Sequence, residues 1–170
     1  MDFIYYDKVY SNIELEYYEQ IIPLLSWERQ EEECIDRFIS TTNEYPTPDK
    51  LLSAYMEFLN PIERDNLEKG FNDGFAIDAK FAKYKETDNF RWHCDDWIWR
   101  NEAPRLRRIL STITYLNDDY DGGETEFSNG RLIKPESGKT LIFPSFWSFP
   151  HRGLPVESGE KHILVMHIWT

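Results

Sequence analysis

The chain has 170 residues, 41% of them hydrophobic, including six Trp, ten Tyr and eleven Phe. That composition excludes a disordered chain and suits one domain with a sizeable core. The formal net charge of −12 repels phosphate backbones and argues against nucleic acid as a partner; a basic or neutral peptide, or a small molecule, suits that field better. Arg105, Arg107 and Arg108 form the one tight basic cluster and read first as a solvated strand start.

Residues 3–10 read as a short strand. From Asn12 to about Leu25, the apolar positions Ile13, Tyr17, Ile21, Ile22 and Leu25 recur near helical spacing, with Asn12 or Ser11 as N-cap and Pro23 as the stop. Pro46 and Pro48 mark a break, after which Asp49 caps a second helix carrying Leu52, Tyr55, Met56 and Leu59 on one face. Residues 61–68 suggest a short third helix, stopped by Gly70. After Gly74 the period changes: Phe75, Ile77, Ala79 and Phe81 alternate with their neighbours as in a strand. Further strands are expected at 90–99, 106–117, 123–128, 131–134, 139–143 and 161–169, separated by turn-forming runs. Helices followed by many short strands predict an α+β, mainly β fold: a double-stranded β-helix (jelly roll) with N-terminal helices packed on one sheet. The expected organisation is a single domain over 1–170, with a helical lead-in at 1–73 and the jelly-roll core at 74–170.

The two cysteines, Cys34 and Cys94, form no Cys-x-x-Cys pair, which argues against a zinc ribbon or a thioredoxin-type site, and no disulfide between them is expected. The start, MDFIYYDKVY, carries Asp2 and no long apolar run, unlike a signal peptide, and no stretch approaches the roughly 18 apolar residues of a membrane span. A soluble protein of a reducing cytoplasm, with no membrane partner, is expected.

The chemistry concentrates in His93-Cys94-Asp95, in His151 and in Lys161, ten residues after that second His. On a strand, positions i and i+2 share a face, so His93 and Asp95 point together and Cys94 points away. A third ligand must come from another strand, and His151, after Pro150, is placed to supply it. Two imidazoles and one carboxylate form the facial triad of non-haem Fe(II) sites, with open positions left on the metal; Mn, Co and Ni suit the same donors. Asp96 is a rival carboxylate expected to face away from His93. His162 and His167 are rival imidazoles: His162 falls on the face opposite Lys161 and reads as surface or structural, whereas His167 shares the Lys161 face. No convincing Ser-His-Asp or Cys-His set accompanies them.

The residues around these positions resemble the prolyl 4-hydroxylase branch of the Fe(II)/2-oxoglutarate dioxygenases. The resemblance runs from Tyr84 to His167, about half the chain: Tyr84, His93-x-Asp95, Arg108…Tyr115-Leu-Asn, Gly122-Gly-Glu-Thr125-x-Phe127, Pro135…Gly138, Leu141-Ile-Phe143, His151-x-Gly-Leu-Pro-Val156 and Gly159-x-Lys161. It implies Fe(II) held by His93, Asp95 and His151, 2-oxoglutarate as co-substrate, O₂, and ascorbate as a candidate reductant. It implies Lys161 as the partner of the far carboxylate of 2-oxoglutarate, Tyr84 as a hydroxyl donor to that carboxylate, and Thr125 and Tyr115 as neighbours in the same pocket. Arg108 corresponds to an arginine that contacts substrate peptide in similar enzymes. Phe90 stands where collagen- and plant-type prolyl enzymes tend to carry Tyr, and His167 where they tend to carry Trp, both where substrate would bind.

The implied activity is hydroxylation of an unactivated C–H, first of all prolyl 4-hydroxylation of a peptide or protein with release of succinate and CO₂. The alternatives are the same chemistry on a free amino acid, a non-prolyl side chain or a small metabolite, or a jelly-roll binding or sensor protein without turnover. Nucleic-acid demethylation would want a basic surface that this chain does not offer. The turn of Asp118, Asp119, Asp121, Gly122 and Gly123 reads as a hairpin beside the site, and the polar loop 85–89 as a candidate mobile lid.

Overall fold

The computed structural model describes residues 5–30, 37–40, 76–96 and 107–169. Strand β1 (Tyr5–Lys8) leads into helix α1 (Asn12–Ile21) and a 3-10 turn at Ile22–Leu24, followed by β2 (Glu28–Gln30) and β3 (Arg37–Ser40). Next come β4 (Ala76–Lys85), β5 (Phe90–His93), β6 (Arg108–Tyr115), β7 (Asp121–Gly122), β8 (Thr125–Phe127) and β9 (Leu132–Ile133). The chain ends on β10 (Lys139–Pro144), β11 (His151–Gly153), β12 (Val156–Ser158) and β13 (Glu160–Trp169). Among the described residues, one sheet runs β1-β10-β6-β13-β4-β3-β2, a second runs β5-β11-β8-β9, and β12 pairs with β7; every pairing is antiparallel. This is the two-sheet jelly roll expected from the sequence.

The larger sheet is covered on both faces, so its central strands are apolar at both parities. On β13, Leu164, Met166 and Ile168 pack with Leu15, Tyr18 and Ile22 from the α1 segment. The intervening Ile163 and Val165 face the smaller sheet, in one core with Phe127 and Ile133. Helix α1 begins on a capping box: the Glu14 N–H donates to Ser11 Oγ at 3.4 Å, and the Ser11 N–H to Glu14 Oε2 at 2.7 Å. Ser11, not Asn12, is therefore the cap.

Several expectations need correcting. The docked stripe of α1 is Leu15, Tyr18 and Ile22; Ile13 and Tyr17 are 78% and 44% exposed. Of the expected positions, Ile22 is in the core and Ile21 and Leu25 pack against it, while Tyr18 meets Tyr10 edge-on at 6.0 Å and Phe81 at 5.7 Å. The lead-in is not purely helical, since β1 pairs with β10 and β3 with β4. Strand β2 is the last in its sheet among the described residues, and its polar Glu28-Arg29-Gln30 hides a strand from any search for apolar alternation. Strand β5 stops at His93, so Asp95 lies beyond it, and β11 and β12, three residues each, were too short to show a period. The helices expected at 49–59 and 61–68, with Asp49, Leu52, Tyr55, Met56 and Leu59, lie outside the described residues, as do Cys34 and Arg105. Cys94 is a free thiol.

The loop 85–89, expected as a candidate lid, forms a hydrogen-bonded turn. Its Asp88 carboxylate accepts from both terminal nitrogens of Arg29, each at 2.9 Å, and from the Lys85 N–H at 2.9 Å. Thr87 N–H donates to the Val156 carbonyl at 2.8 Å, and Val156 N–H to the Asp88 carbonyl at 3.0 Å. Removing a carboxylate this well satisfied takes a bidentate ion pair from Arg29. Asp88→Ala is expected to cost about 2 kcal/mol of unfolding free energy by urea titration, below the range for a fully buried pair because the Arg29 side chain is 30% exposed.

Candidate active site

His93 ends β5 and His151 begins β11, and the two are directly opposite in the strand register. Sheet pairing alone therefore sets the imidazoles side by side, with ring centroids 4.2 Å apart. Asp95, two residues past the strand end, turns its carboxylate between them: Oδ1 is 3.4 Å from His93 Nε2 and Oδ2 is 3.8 Å from His151 Nε2. One donor atom from each of the three lies within 4.8 Å of the others. His93 Nδ1 faces the Arg91 carbonyl at 2.9 Å, and His151 Nδ1 faces the Phe149 carbonyl at 3.2 Å. A carbonyl only accepts, so this hydrogen bonding assigns the proton of each ring to Nδ1 and leaves each Nε2 with a bare lone pair.

Burial by itself would raise the Asp95 carboxyl, but the surrounding His167, His93 and His151 imidazoles hold it well below the ordinary value. Burial pushes the His151 imidazole down to about 4, against the pull of Asp95. At neutral pH the cluster thus presents a carboxylate and a neutral imidazole without first having to lose protons. Two imidazole nitrogens and one carboxylate on one side of a cavity suit a six-coordinate Fe(II), with Mn, Co and Ni as chemical equivalents. The expected rival carboxylate, Asp96, is engaged elsewhere: Arg107 grips it at 3.0 and 2.8 Å. His162 is structural, 2.9 Å from Glu160 and stacked near Trp27.

Lys161 begins the inner-face row of β13 that continues through Ile163, Val165 and His167. It is 3% exposed, and its ammonium donates to the Gly123 carbonyl at 2.6 Å. The rings of Tyr84 and Tyr115 stand 5.1 and 5.4 Å from it. No carboxylate pairs with it among the described residues, and burial pushes it down to about 7, only partly offset by Glu124. A buried cation with one neutral acceptor is incomplete as it stands and is suited to an incoming carboxylate. Gly123 makes this approach possible: at φ +67 it occupies the left-handed region, and an added Cβ would sit 3.1 Å from both Lys161 Cδ and Tyr120 Cε2. Gly123→Ala is therefore expected to lower stability by about 1–2 kcal/mol and to weaken carboxylate binding at Lys161, read by denaturation and by calorimetry.

The triad and Lys161 open into one cavity of about 310 Å³. Tyr84, Thr125, Phe90, Arg108 and His167 all line it. Phe90 packs its ring against His93 at 4.1 Å, and Arg108 lies over Trp169 at 4.7 Å, near the end of β13 away from Lys161. Tyr115 is not on the wall: fully buried, it braces Thr125 from behind through a 2.6 Å hydroxyl pair. Cys94 contributes to the wall, although its thiol is turned to the Trp147 carbonyl at 3.4 Å. Sequence reasoning missed Lys80 and Arg152 on the wall, and the carbonyls of Arg91, Phe149 and Gly123. Lys80 was within reach, since it shares the parity of Tyr84 on β4; the carbonyls leave no side-chain signal. Among the described residues, Asp95 is the one carboxylate lining this cavity, against four Lys and Arg side chains. Within a chain of net charge −12, that is an interior made for an anionic ligand.

A jelly roll with such a cluster and a buried lysine in one cavity carries the donors of a mononuclear metal centre beside an anchor for a carboxylate. Residues 79–169 match the 2OG-Fe(II) oxygenase superfamily, and the chain belongs to it. Membership brings Fe(II), 2-oxoglutarate and O₂ as the reacting groups, for which the donors above fit. The chain is 31% identical to a mimivirus protein (Acanthamoeba polyphaga mimivirus) named "Putative prolyl 4-hydroxylase", over 61% of this chain and 51% of that one. It is 32% identical to mouse prolyl 3-hydroxylase 2 over 37% of this chain and 10% of that one. It thus spans about half or less of the curated relatives it matches. In fold it is similar to the viral collagen prolyl hydroxylase of Paramecium Bursaria Chlorella virus-1, with TM-score 0.66 and 24% identity over 99% of this chain and 96% of that one. A prolyl 4-hydroxylase of Pseudomonas putida gives TM-score 0.64 and 20% identity, covering 98% and 91% of the two chains. No helix among the described residues is long and apolar enough to cross a membrane.

Proposed function

We propose that this chain is an oxygenase that hydroxylates a prolyl residue of a peptide or protein at C4, using Fe(II), 2-oxoglutarate and O₂, with ascorbate as a candidate reductant. The observation that carries the reading is the convergence of His93, Asp95 and His151 in the same cavity as the buried Lys161. Bound iron with its co-substrates supplies the oxidising chemistry: 2-oxoglutarate is decarboxylated to succinate and CO₂, and one oxygen atom of O₂ enters the substrate C–H bond. The protein's own residues bind and orient. His93, Asp95 and His151 would hold the metal. Lys161 and Thr125, with Tyr84 beside them, receive the far carboxylate of 2-oxoglutarate. Phe90, Arg108 and His167 shape the space left for substrate.

Phe90 and His167 also support a second reading, the same chemistry on a free amino acid, a non-prolyl side chain or a small metabolite. Phe90 offers only a ring face, and His167 puts an imidazole into the cavity wall. We further take residues 1–170 as one domain, because β1 and β3 belong to the same sheet as β13, and place the protein in a reducing cytoplasm, in keeping with the free Cys94 thiol. The test is anaerobic 2-oxoglutarate binding with Fe(II), followed by O₂ and succinate measurement with and without a proline-rich peptide. Peptide-stimulated succinate with a peptide heavier by one oxygen supports prolyl hydroxylation. Slow succinate without stimulation transfers the reading to another substrate, and no succinate in any arm overturns it.

A further inference from the structure

His167 lies at the opposite end of β13's inner face from Lys161 and is 2% exposed. Its Nε2 is 3.8 Å from Asp95 Oδ1. In the strand register it sits opposite Ser111, whose buried hydroxyl is already paired with Ser145 at 2.8 Å. It does not belong to the set of donors within 4.8 Å of one another, which contains His93, Asp95 and His151 alone. It reaches the cluster through Asp95.

That contact is consequential for the carboxylate. Among the described residues its ionic partners are three imidazoles: His93 on Oδ1 at 3.4 Å, His167 on Oδ1 at 3.8 Å and His151 on Oδ2 at 3.8 Å. His93 and His151 carry their protons on Nδ1, donated to backbone carbonyls, so neither has an Nε2–H to give to the carboxylate. Once both Nε2 lone pairs face a metal, neither ring can donate to Asp95 at all. A buried carboxylate that keeps lone pairs beyond its metal bond needs an N–H or O–H donor. His167 is the imidazole left to provide one, provided that its tautomer is the opposite of the other two. At 3.8 Å the separation is longer than a formed hydrogen bond, and its closing is part of what is inferred.

We infer that His167 is a positioning residue that carries its proton on Nε2 and donates it to Asp95, fixing the carboxylate ligand of the metal site. The inference rests on the metal-site reading above and goes beyond it, since it gives His167 a part in supporting the ligand besides its place in the cavity wall. It distinguishes His167 from a fourth ligand, which would need a bare Nε2.

The tautomers can be read directly. In ¹⁵N-labelled full-length protein loaded with Zn(II) as a closed-shell probe, imidazole ¹⁵N–¹H correlation spectra should show His93 and His151 protonated at Nδ1 and His167 at Nε2. A His167 protonated at Nδ1 overturns the inference. Anaerobic Co(II) titration supplies a second readout. His167→Phe, which keeps bulk and loses the donor, should weaken Co(II) by about 10–100-fold, while His167→Gln, which restores an N–H, should stay within about threefold of wild type on the same grounds. Equal Co(II) affinity in wild type and His167→Phe, at matched urea stability, sinks the positioning role while leaving the metal site standing. Wild-type protein that takes up neither Zn(II) nor Co(II) overturns the metal-site reading and this inference with it.

Discussion

Replacing Lys161 with Met is expected to raise the 2-oxoglutarate KM by about 30- to 1,000-fold, the cost of leaving one member of a desolvated charge pair unmatched. The fold should survive, because Lys161 contributes a desolvated ammonium with a single neutral acceptor, the Gly123 carbonyl, and Met fills the same volume without that penalty. The reaction, once 2-oxoglutarate is saturating, should change far less than the requirement for it. A kcat lost in step with kcat/KM would contradict the assignment. The pH dependence follows from the same burial. Lys161 is pushed down to about 7 when no carboxylate is present, and its protonated form is the one that binds an anion. Above that pH the free protein must take up a proton to bind. Affinity for 2-oxoglutarate is therefore expected to fall by about tenfold per pH unit above pH 7.5 and to level off below pH 6.5, with proton uptake approaching one per molecule bound at pH 8. Calorimetry in two buffers of different ionisation enthalpy measures this uptake, and Lys161→Met should abolish it. The stability of the co-substrate-free protein should move the other way. Between pH 7 and the ordinary lysine value of 10.5 the unfolded chain holds the extra proton, so the Lys161 contribution to stability rises with pH across that window.

The second large effect belongs to the metal ligands. Asp95→Ala is expected to weaken Fe(II) by more than about 100-fold, exceeding what loss of an outer partner costs, and to abolish 2-oxoglutarate turnover. His93→Ala should match it. The two differ in the apoprotein. Asp95 is a buried carboxylate among three imidazoles, and without it those rings lose their shared counter-charge. The His151 imidazole, already pushed down to about 4 by burial, loses the group that favours its protonation, so its pKa should fall further in Asp95→Ala and rise in His93→Ala, where a competing ring is gone. NMR titration of the metal-free variants separates the two directions. Full turnover in either variant would remove these residues from the chemistry.

The jelly roll was legible because its long strands, β4, β6, β10 and β13, carry enough residues to show their period. The short pieces were not: β2, β3, β7, β11 and β12 are two to four residues each, and such lengths hold no repeat. The N-cap was legible in Ser11-x-x-Glu14, yet the side of α1 that docks depends on what Tyr18 meets across the interface, and the helix's own sequence does not contain that. His93 and Asp95 were paired by strand alternation, although the strand ends at His93; the carboxylate reaches the right place by a turn. Asp88 of loop 85–89 finds Arg29, 59 residues away in sequence, a partner that the loop's own polar run does not announce. The overall negative charge hid the cationic cavity, because net charge sums over a surface that the ligand never visits.

Lys161 and His167 stand on the same strand, six residues apart, with the metal ligands reached from the His167 end. Their spacing is set by the backbone repeat, about 20 Å over six residues, and not by any side chain. A strand used in this way is a fixed measuring rod across the reaction chamber. Point substitutions along it can change what each station holds but cannot bring the stations closer. Diversification of the chemistry at this site is thereby channelled into the identities of residues 163, 165 and 167 and into the loops, whereas a one-residue insertion in β13 would exchange its two faces and bury the co-substrate anchor under the helix.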